Sequence, residues 1–184
     1  LELLLRNKAI DSSLNGICIT DMGGRLSYVN ESFMRLFGYH RADQMLGRHI
    51  GEFTLNANEA HSILSILRNQ GRYAGELDVV RQNGTSFSVE VLCSLITDHA
   101  GQTGHMIGSL VDITDRKHAE EALKEQMRFR SMVMEISMNF INLPHDKMDQ
   151  GIETALALVG EFAGLDHLFL YLYNEDLSGF SRGY

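Results

Sequence analysis

The chain has 184 residues, 44% of them hydrophobic and 22% charged, which is enough for one domain with an extension or for two small domains. A single proline and the lack of low-complexity tracts argue against disorder. The net charge of -8 disfavours nucleic acid and anionic membranes as partners, because phosphate binding relies on clustered Lys and Arg.

No apolar stretch approaches the length of a membrane span, so we expect no membrane contact within these residues and a cytoplasmic location for them. Because the chain begins at Leu1 rather than Met, we expect a fragment of a longer protein, and whether that protein is membrane-anchored stays open. The two cysteines, Cys18 and Cys93, have no metal-ligand spacing and lie in apolar, strand-like contexts. We interpret them as buried free thiols.

The first elements are a helix and a hairpin. Residues 1–14 are predicted to form an N-terminal amphipathic helix, which Gly16 ends. Residues 17–21 and 25–29 have the composition of two short strands. The turn between them contains two glycines, which adopt positive φ easily, so the pair is predicted to form a hairpin.

Several helices are predicted next. Asn30 is placed to cap a helix over residues 31–37 through its side-chain oxygen. Short helical pieces follow at residues 41–46 and 49–53, and a longer helix is predicted over 57–70. The longer helix carries an apolar stripe at helical spacing, formed by Ala60, Ile63, Leu64 and Leu67.

Three strands complete this part of the chain. The first covers residues 73–81. It is followed by Asn83-Gly84, a dipeptide typical of tight hairpin turns. The second alternates apolar and polar residues, and the third covers 105–113. The inward face of the second strand is predicted to contain Phe87, Val89, Val91, Cys93 and Leu95. Five antiparallel strands with helices on one face predict an α+β fold.

From Asp115 the apolar residues recur at alternating spacings of three and four, which is typical of a coiled-coil helix. The seam is formed by Ala119, Ala122, Phe129, Val133, Ile136 and Phe140, with Gln126 as a polar interruption. Such a seam needs a partner, and we expect a parallel homodimer. The alternative is that the seam packs against its own domain.

The C-terminal part begins where Pro144 ends the long helix, since proline lacks the backbone donor that a helix needs. A second amphipathic helix is predicted over 146–163 and a strand over 166–173, with a turn over 174–179. One helix and one or two strands cannot close a core, so this segment is predicted to be the beginning of an incomplete domain.

Several short segments recur in a characteristic order and spacing: Ile19-Thr20-Asp21, Gly24 to Asn30, Phe33, Leu36-Phe37-Gly38-Tyr39, Leu46-Gly47-Arg48, Gly75-Glu76-Leu77, Arg81-Gln82-Asn83-Gly84 and Asp112-Ile113-Thr114-Asp115-Arg116-Lys117. On these segments, residues about 5–116 resemble a PAS domain. Residues 130–184 resemble the start of a GAF domain, in their helix–Pro–helix–strand order and in Gly164-Leu165-Asp166 before the strand.

The resemblance implies a PAS fold at residues 15–114, followed by a signalling helix at 115–141 and a GAF-like start at 142–184. It also implies a sensor module of a bacterial or archaeal signalling protein, which ends in a histidine kinase or a cyclic-di-GMP enzyme outside this sequence. We therefore expect no enzymatic activity in these residues. A structural homodimerisation module with a filled core is the alternative function.

Two cofactors that PAS relatives bind can each be assessed here from a single residue. Light-sensing relatives carry a flavin-reactive cysteine after the third helix, but this chain has Ile50 at that position, so cysteine–flavin photochemistry is rejected. Haem-binding relatives take an axial histidine from the long helix, where this chain has His61. Because His61 lies about 100° from the apolar stripe of that helix, a surface histidine is favoured and haem remains a minor alternative. No other metal site is expected.

The candidate ligand pocket lies between the predicted helices and the sheet. The residues predicted to line it are Ile17, Ile19, Phe33, Leu36, Phe37, Ile50, Phe53, Leu64, Leu67, Val91 and Cys93. A ligand in such surroundings would be small and mostly apolar, whereas the alternative is that these side chains fill the space completely. The junction Asp112, Ile113 and Thr114 is predicted to relay a change in the sheet to the long helix.

Overall fold

The computed structural model describes residues 8, 10–97, 103–173 and 180–183. Most of the N-terminal helix predicted over residues 1–14 and the turn predicted over 174–179 therefore lie outside the described residues. The chain forms two compact units, Leu1–His118 and Ala119–Tyr184.

A five-stranded antiparallel sheet organises the first unit. Its strands are β1 Gly16–Asp21, β2 Leu26–Val29, β3 Arg72–Val80, β4 Ser86–Thr97 and β5 Thr103–Asp112. Their spatial order is β2-β1-β5-β4-β3, so the strand that comes last of these five in the sequence occupies the centre of the sheet. The predicted α+β class with five antiparallel strands is confirmed.

Helices cover one face of this sheet. They are α1 Glu31–Phe37, α2 Ala57–Gln70 and two short 3-10 helices, Ala42–Gln44 and Ile50–Phe53. Helix α1 ends at Gly38, whose φ of 77° lies in the left-handed region that glycine adopts without strain.

Asn30 ties the start of α1 to β1. Its side-chain oxygen accepts hydrogen bonds from the backbone N–H groups of Phe33 and Ile17, both at 2.8 Å. Its side-chain nitrogen donates to the carbonyls of Asn15 and Ile10, both at 3.0 Å. The buried amide is thus fully bonded and holds three segments together, which exceeds the cap function predicted for it.

An aromatic cluster fills much of the space between sheet and helices. The ring of Phe37 lies 4.7 Å from that of Phe33 and 5.5 Å from those of Phe53 and Phe87. All four side chains are buried, and the two contacts at 5.5 Å have the edge-to-face geometry that aromatic pairs prefer.

The remaining elements are mostly helical. Helix α3, Thr114–Ile141, starts at the end of the first unit and has no buried residue among its 28. In the second unit a 3-10 helix, His145–Lys147, precedes α4, Met148–Ala163, and a short hairpin follows, with β6 Tyr171–Tyr173 and β7 Phe180–Gly183. The strand predicted over 166–173 is therefore shorter than expected. No helix among the described residues combines the length and apolar character needed to cross a membrane.

Candidate functional site

An apolar cavity of about 70 Å³ lies between the sheet and the helices of the first unit. An engineered cavity of about 150 Å³ accepts benzene, so the present space suits a ligand of only a few heavy atoms. Its walls come from β1, β3, β4, β5, α1, α2 and the 3-10 helix Ile50–Phe53. The aromatic cluster therefore leaves a small space in the core instead of filling it completely.

Seven of the eleven predicted pocket residues line this cavity. They are Phe37, Ile50, Phe53, Leu64, Leu67, Val91 and Cys93. Of the other four, Phe33 is fully buried in the core cluster and Leu36 packs against that cluster, so neither reaches the cavity.

The structure corrects the predicted inward face of β1. Ile17 and Ile19 are half-buried on the opposite face of the sheet, while Cys18 and Thr20 point inward and line the cavity. The cause is Gly16, which starts the inward face. A Cβ at this glycine would lie only 3.2 Å from the Phe33 Cα, so glycine lets β1 approach α1 closely.

Two cysteines face each other across the central strand. Cys18 and Cys93 pair with Gly108 in register, one on either side of it, and all three residues line the cavity. Burial raises the pKa of the Cys18 thiol to about 12, with a contribution from nearby Cys93, and burial raises the pKa of Cys93 to about 11. Both groups are therefore protonated thiols at neutral pH.

Neither cofactor chemistry considered above fits these residues. Ile50 does line the cavity, but it offers no nucleophile where light-sensing relatives carry cysteine. His61 is exposed and donates from Nδ1 to the Ala57 carbonyl of its own helix at 2.8 Å, while its ring stacks on that of His49. Since His61 does not line the cavity, and the cavity is far smaller than a haem, we derive no role for haem.

The junction between β5 and α3 is fixed by hydrogen bonds to Asp112. One carboxylate oxygen accepts from the Thr114 backbone N–H at 3.0 Å and from its hydroxyl at 2.6 Å. The Thr114 hydroxyl oxygen also accepts from the Ser88 N–H at 3.2 Å. Burial acts to raise the pKa of Asp112, but the hydrogen bonds from Thr114 and Arg81 outweigh it and lower the pKa below its ordinary value. The first turn of α3 is thereby attached to the sheet.

Arg81 connects this junction to helix α1. It donates to the second Asp112 oxygen at 2.8 Å and to the carbonyl of Leu36, and its guanidinium lies 3.8 Å from the centre of the Phe87 ring. The next residue, Gln82, donates its N–H to the Phe37 carbonyl at 2.9 Å. Sequence reasoning treated Arg81 only as part of a turn motif and missed this role.

Charges also attach the first turn of α3 to the outer face of the sheet. Glu76 and Glu90 lie directly opposite each other on β3 and β4. Arg116 lies 3.2 Å from a Glu76 oxygen and 3.9 Å from a Glu90 oxygen, and Lys117 lies 2.8 Å from the other Glu76 oxygen. The hydrogen bond from Lys117 is the main cause of a lowered pKa for Glu76. These cations offset the repulsion between the two facing carboxylates.

The predicted seam of α3 is only partly covered. Phe129 and Val133 are exposed at 52% and 43%, Ala119 and Ala122 are exposed, and Ile136 and Phe140 are half-buried. In the second unit the Phe129 ring lies 5.6 Å from that of Phe162. The helix therefore presents several large apolar side chains to solvent in a single copy of the chain.

Comparison with known proteins gives a consistent result. A family model described as "PAS domain" matches residues 14–115. The bacterioopsin transcriptional activator of Halobacterium salinarum is 23% identical over 89% of the chain, and sporulation kinase C of Bacillus subtilis is 27% identical over 65%. The chain spans only 26% and 28% of these curated relatives. The crystal structure of the PAS domain of a Colwellia psychrerythraea protein is 26% identical, with a TM-score of 0.57, over 62% of this chain and 99% of that one.

Proposed function

The chain belongs to the PAS domain family, and from this premise we propose that it is the sensory module of a signal-transduction protein. In this proposal a small ligand binds in the cavity of the first unit. The resulting change passes through the Asp112–Thr114 junction to α3, which pairs with a second copy of itself. The similarity to a sporulation kinase and to a transcriptional activator supports a regulatory role. In this proposal the effector domain belongs to the rest of a longer protein.

The observation that best supports the proposal is the position of β5. This strand lines the cavity with Met106, Gly108 and Leu110, and two residues later it ends at Asp112, just before α3. A ligand that displaces β5 would therefore act directly on the junction. A second connection runs from the Leu36 carbonyl at the end of α1 through Arg81 to Asp112.

Relay requires two arrangements of α3 to which the ligand binds with different affinity. We propose that these are two packings of the seam in a parallel coiled-coil homodimer. The exposure of Phe129 and Val133 supports a partner for this face, because large apolar side chains are costly to leave in water.

The finer domain assignments belong to the same proposal. We assign β3 to β5 as PAC-type strands and residues 142–184 as the start of a GAF-like domain. The alignment with the archaeal activator supports an extended module, since it covers 89% of the chain and therefore continues beyond the matched residues 14–115.

Two measurements on the purified protein, native mass spectrometry and an absorption spectrum, test whether it binds a ligand and whether it forms a dimer. We expect a dimer that carries a bound small molecule. Phe129→Glu should give monomers, whereas Ser131→Glu adds the same charge at an exposed position outside the seam and should not. A dimer with no bound mass would favour the alternative, a structural homodimerisation module, to which the small size of the cavity also points.

The relay is tested in the full-length protein with Asp112→Ala, which removes the acceptor for Thr114 and Arg81. Output should no longer follow input, while the fold is retained. Asp115→Ala removes an acid three residues away and is the matched control. Normal signalling by the Asp112 variant would contradict the relay.

A further inference from the structure

Three sulfur-containing side chains share the cavity. Cys18, Cys93 and Met106 all line it, and Met106 lies two residues before Gly108 on the same face of β5. Cys18 and Met106 are 4% and 3% exposed, and Cys93 is half-buried.

The gap between the two thiols depends on glycine. A Cβ placed on Gly108 would lie 3.1 Å from the Cys18 sulfur and 3.5 Å from the Cys93 sulfur. Both sulfurs therefore lie within 3.5 Å of one point in the wall of the cavity above the central strand, and a side chain at Gly108 would crowd them. A direct disulfide is excluded in this arrangement, because two strand spacings of about 4.8 Å separate the cysteine backbones and a disulfide needs Cα atoms within about 7 Å.

We propose that this space is a binding site for a soft, thiophilic metal ion of the Cu(I) class, held between the sulfurs of Cys18 and Cys93 with Met106 as a third donor. The inference rests on the proposed sensory function and names the ligand class for the same cavity. Thiolate and thioether donors select soft ions, and Cu(I) accepts two or three of them. Zinc in structural sites almost always takes four ligands, and hard cations need oxygen donors.

Binding exchanges protons for metal without a redox step. Each cysteine S–H bond breaks, both protons pass to the solvent, and two Cu–S bonds form, so the pair with its ion carries one negative charge. The ion would lie further from the Gly108 backbone than a Cβ does, and metal–sulfur bonds of about 2.3 Å require both sulfurs to close on it.

The site would act on the element that carries the signal. An ion bound to Cys18 on β1 and Cys93 on β4 bridges the two neighbours of β5 directly above Gly108. Closing the sulfurs over this strand changes the packing on its inner face, four residues before Asp112. A very small ligand could therefore bias the junction without filling a large pocket.

The site is tested in the whole chain by letting the protein compete with a chromophoric chelator for Cu(I) under anaerobic reducing conditions. The wild-type protein should bind one equivalent of Cu(I) and show ultraviolet thiolate-to-copper absorption. Cys18→Ser or Cys93→Ser should weaken binding by more than about 100-fold, which exceeds the loss usual for residues that only orient a ligand. Met106→Leu should cause a smaller loss.

Gly108→Ala gives the sharpest variant, because it keeps all three sulfurs and fills the space between them. Gly104→Ala is its matched control on the same strand, since a Cβ there would meet nothing within 4 Å. We expect loss of Cu(I) binding in the first variant and unchanged binding in the second. If Gly108→Ala does not fold, as judged by circular dichroism, the cysteine variants decide.

Absence of chelator-competitive binding, or equal binding by the cysteine variants, would overturn the proposal. If the protein instead carries an organic small molecule in native mass spectrometry, the metal assignment alone fails and the sensory function stands. If it binds neither, both fail.

Discussion

Arg81→Met is the most informative single substitution, because Arg81 joins the end of α1 to the junction. Methionine retains an apolar stem that can pack on Phe87. It removes the donors to Leu36 and Asp112 and the positive charge 3.8 Å from the Phe87 ring centre.

The expected cost follows from the three contacts. A hydrogen bond from a charged donor to the partly buried Leu36 carbonyl contributes about 1.5 kcal/mol. The ion pair with Asp112, in which both side chains are about one-third exposed, contributes about 0.5 kcal/mol. The cation–π contact contributes about 0.5 to 1 kcal/mol. We therefore expect the free energy of unfolding to fall by about 2.5 to 3 kcal/mol, which a typical domain survives.

Urea unfolding monitored by circular dichroism measures this change, at one fixed protein concentration because association shifts apparent stability. Arg72→Met replaces an exposed arginine at the start of β3, the strand that ends just before Arg81, and should change stability by less than about 0.5 kcal/mol. A double-mutant cycle with Asp112→Ala isolates the pair and should give a coupling energy of about 0.5 to 1 kcal/mol. Strictly additive effects would refute the claim that Arg81 and Asp112 act together.

Two further predictions concern other polar contacts. Asn30→Ala leaves the N–H groups of Phe33 and Ile17 without their acceptor. It should therefore lower the free energy of unfolding by about 3 kcal/mol in the same assay. A loss below about 1 kcal/mol would show that water replaces the amide. The lowered pKa of Asp112 means that its ionised form stabilises the fold fully above the ordinary value of 3.8, and that this contribution is lost as the pH falls through the lowered pKa. The stability difference between wild type and Asp112→Asn should therefore be constant near neutral pH and shrink only in acid; a change between pH 5 and 7 would contradict this origin.

Local signals predicted the elements of the first unit well. The cap at Asn30 and the turn at Asn83-Gly84 are encoded by neighbouring residues, and both lie where the pattern placed them. The face of β1 was predicted wrongly, because isoleucine alternates there with cysteine and threonine and hydrophobicity alone favours the wrong set. The inward face is instead set by the contact of Gly16 with α1, which only the folded chain reveals.

The candidate site could not be predicted in full from local sequence patterns. The core residues could be named from periodicity, but the position of the remaining space depends on how four phenylalanine rings pack. Arg81 was missed because its partners Leu36 and Asp112 are 45 and 31 residues away in the sequence. In the second unit, the apolar run before Tyr171 predicted a longer strand, whereas the structure pairs only Tyr171–Tyr173 with β7.

The central position of β5 also has a consequence for how the domain is made. During synthesis β1 emerges first and has only β2 beside it, while the neighbour on its other side, β5, is encoded about ninety residues later. Until β5 inserts, β1 and β4 each expose an open edge that can pair with another chain. Closing the sheet through such distant pairing is expected to be the slow folding step. The strand that completes the sheet is thus also the strand that leads into α3, so α3 is attached to the domain only once the sheet is closed.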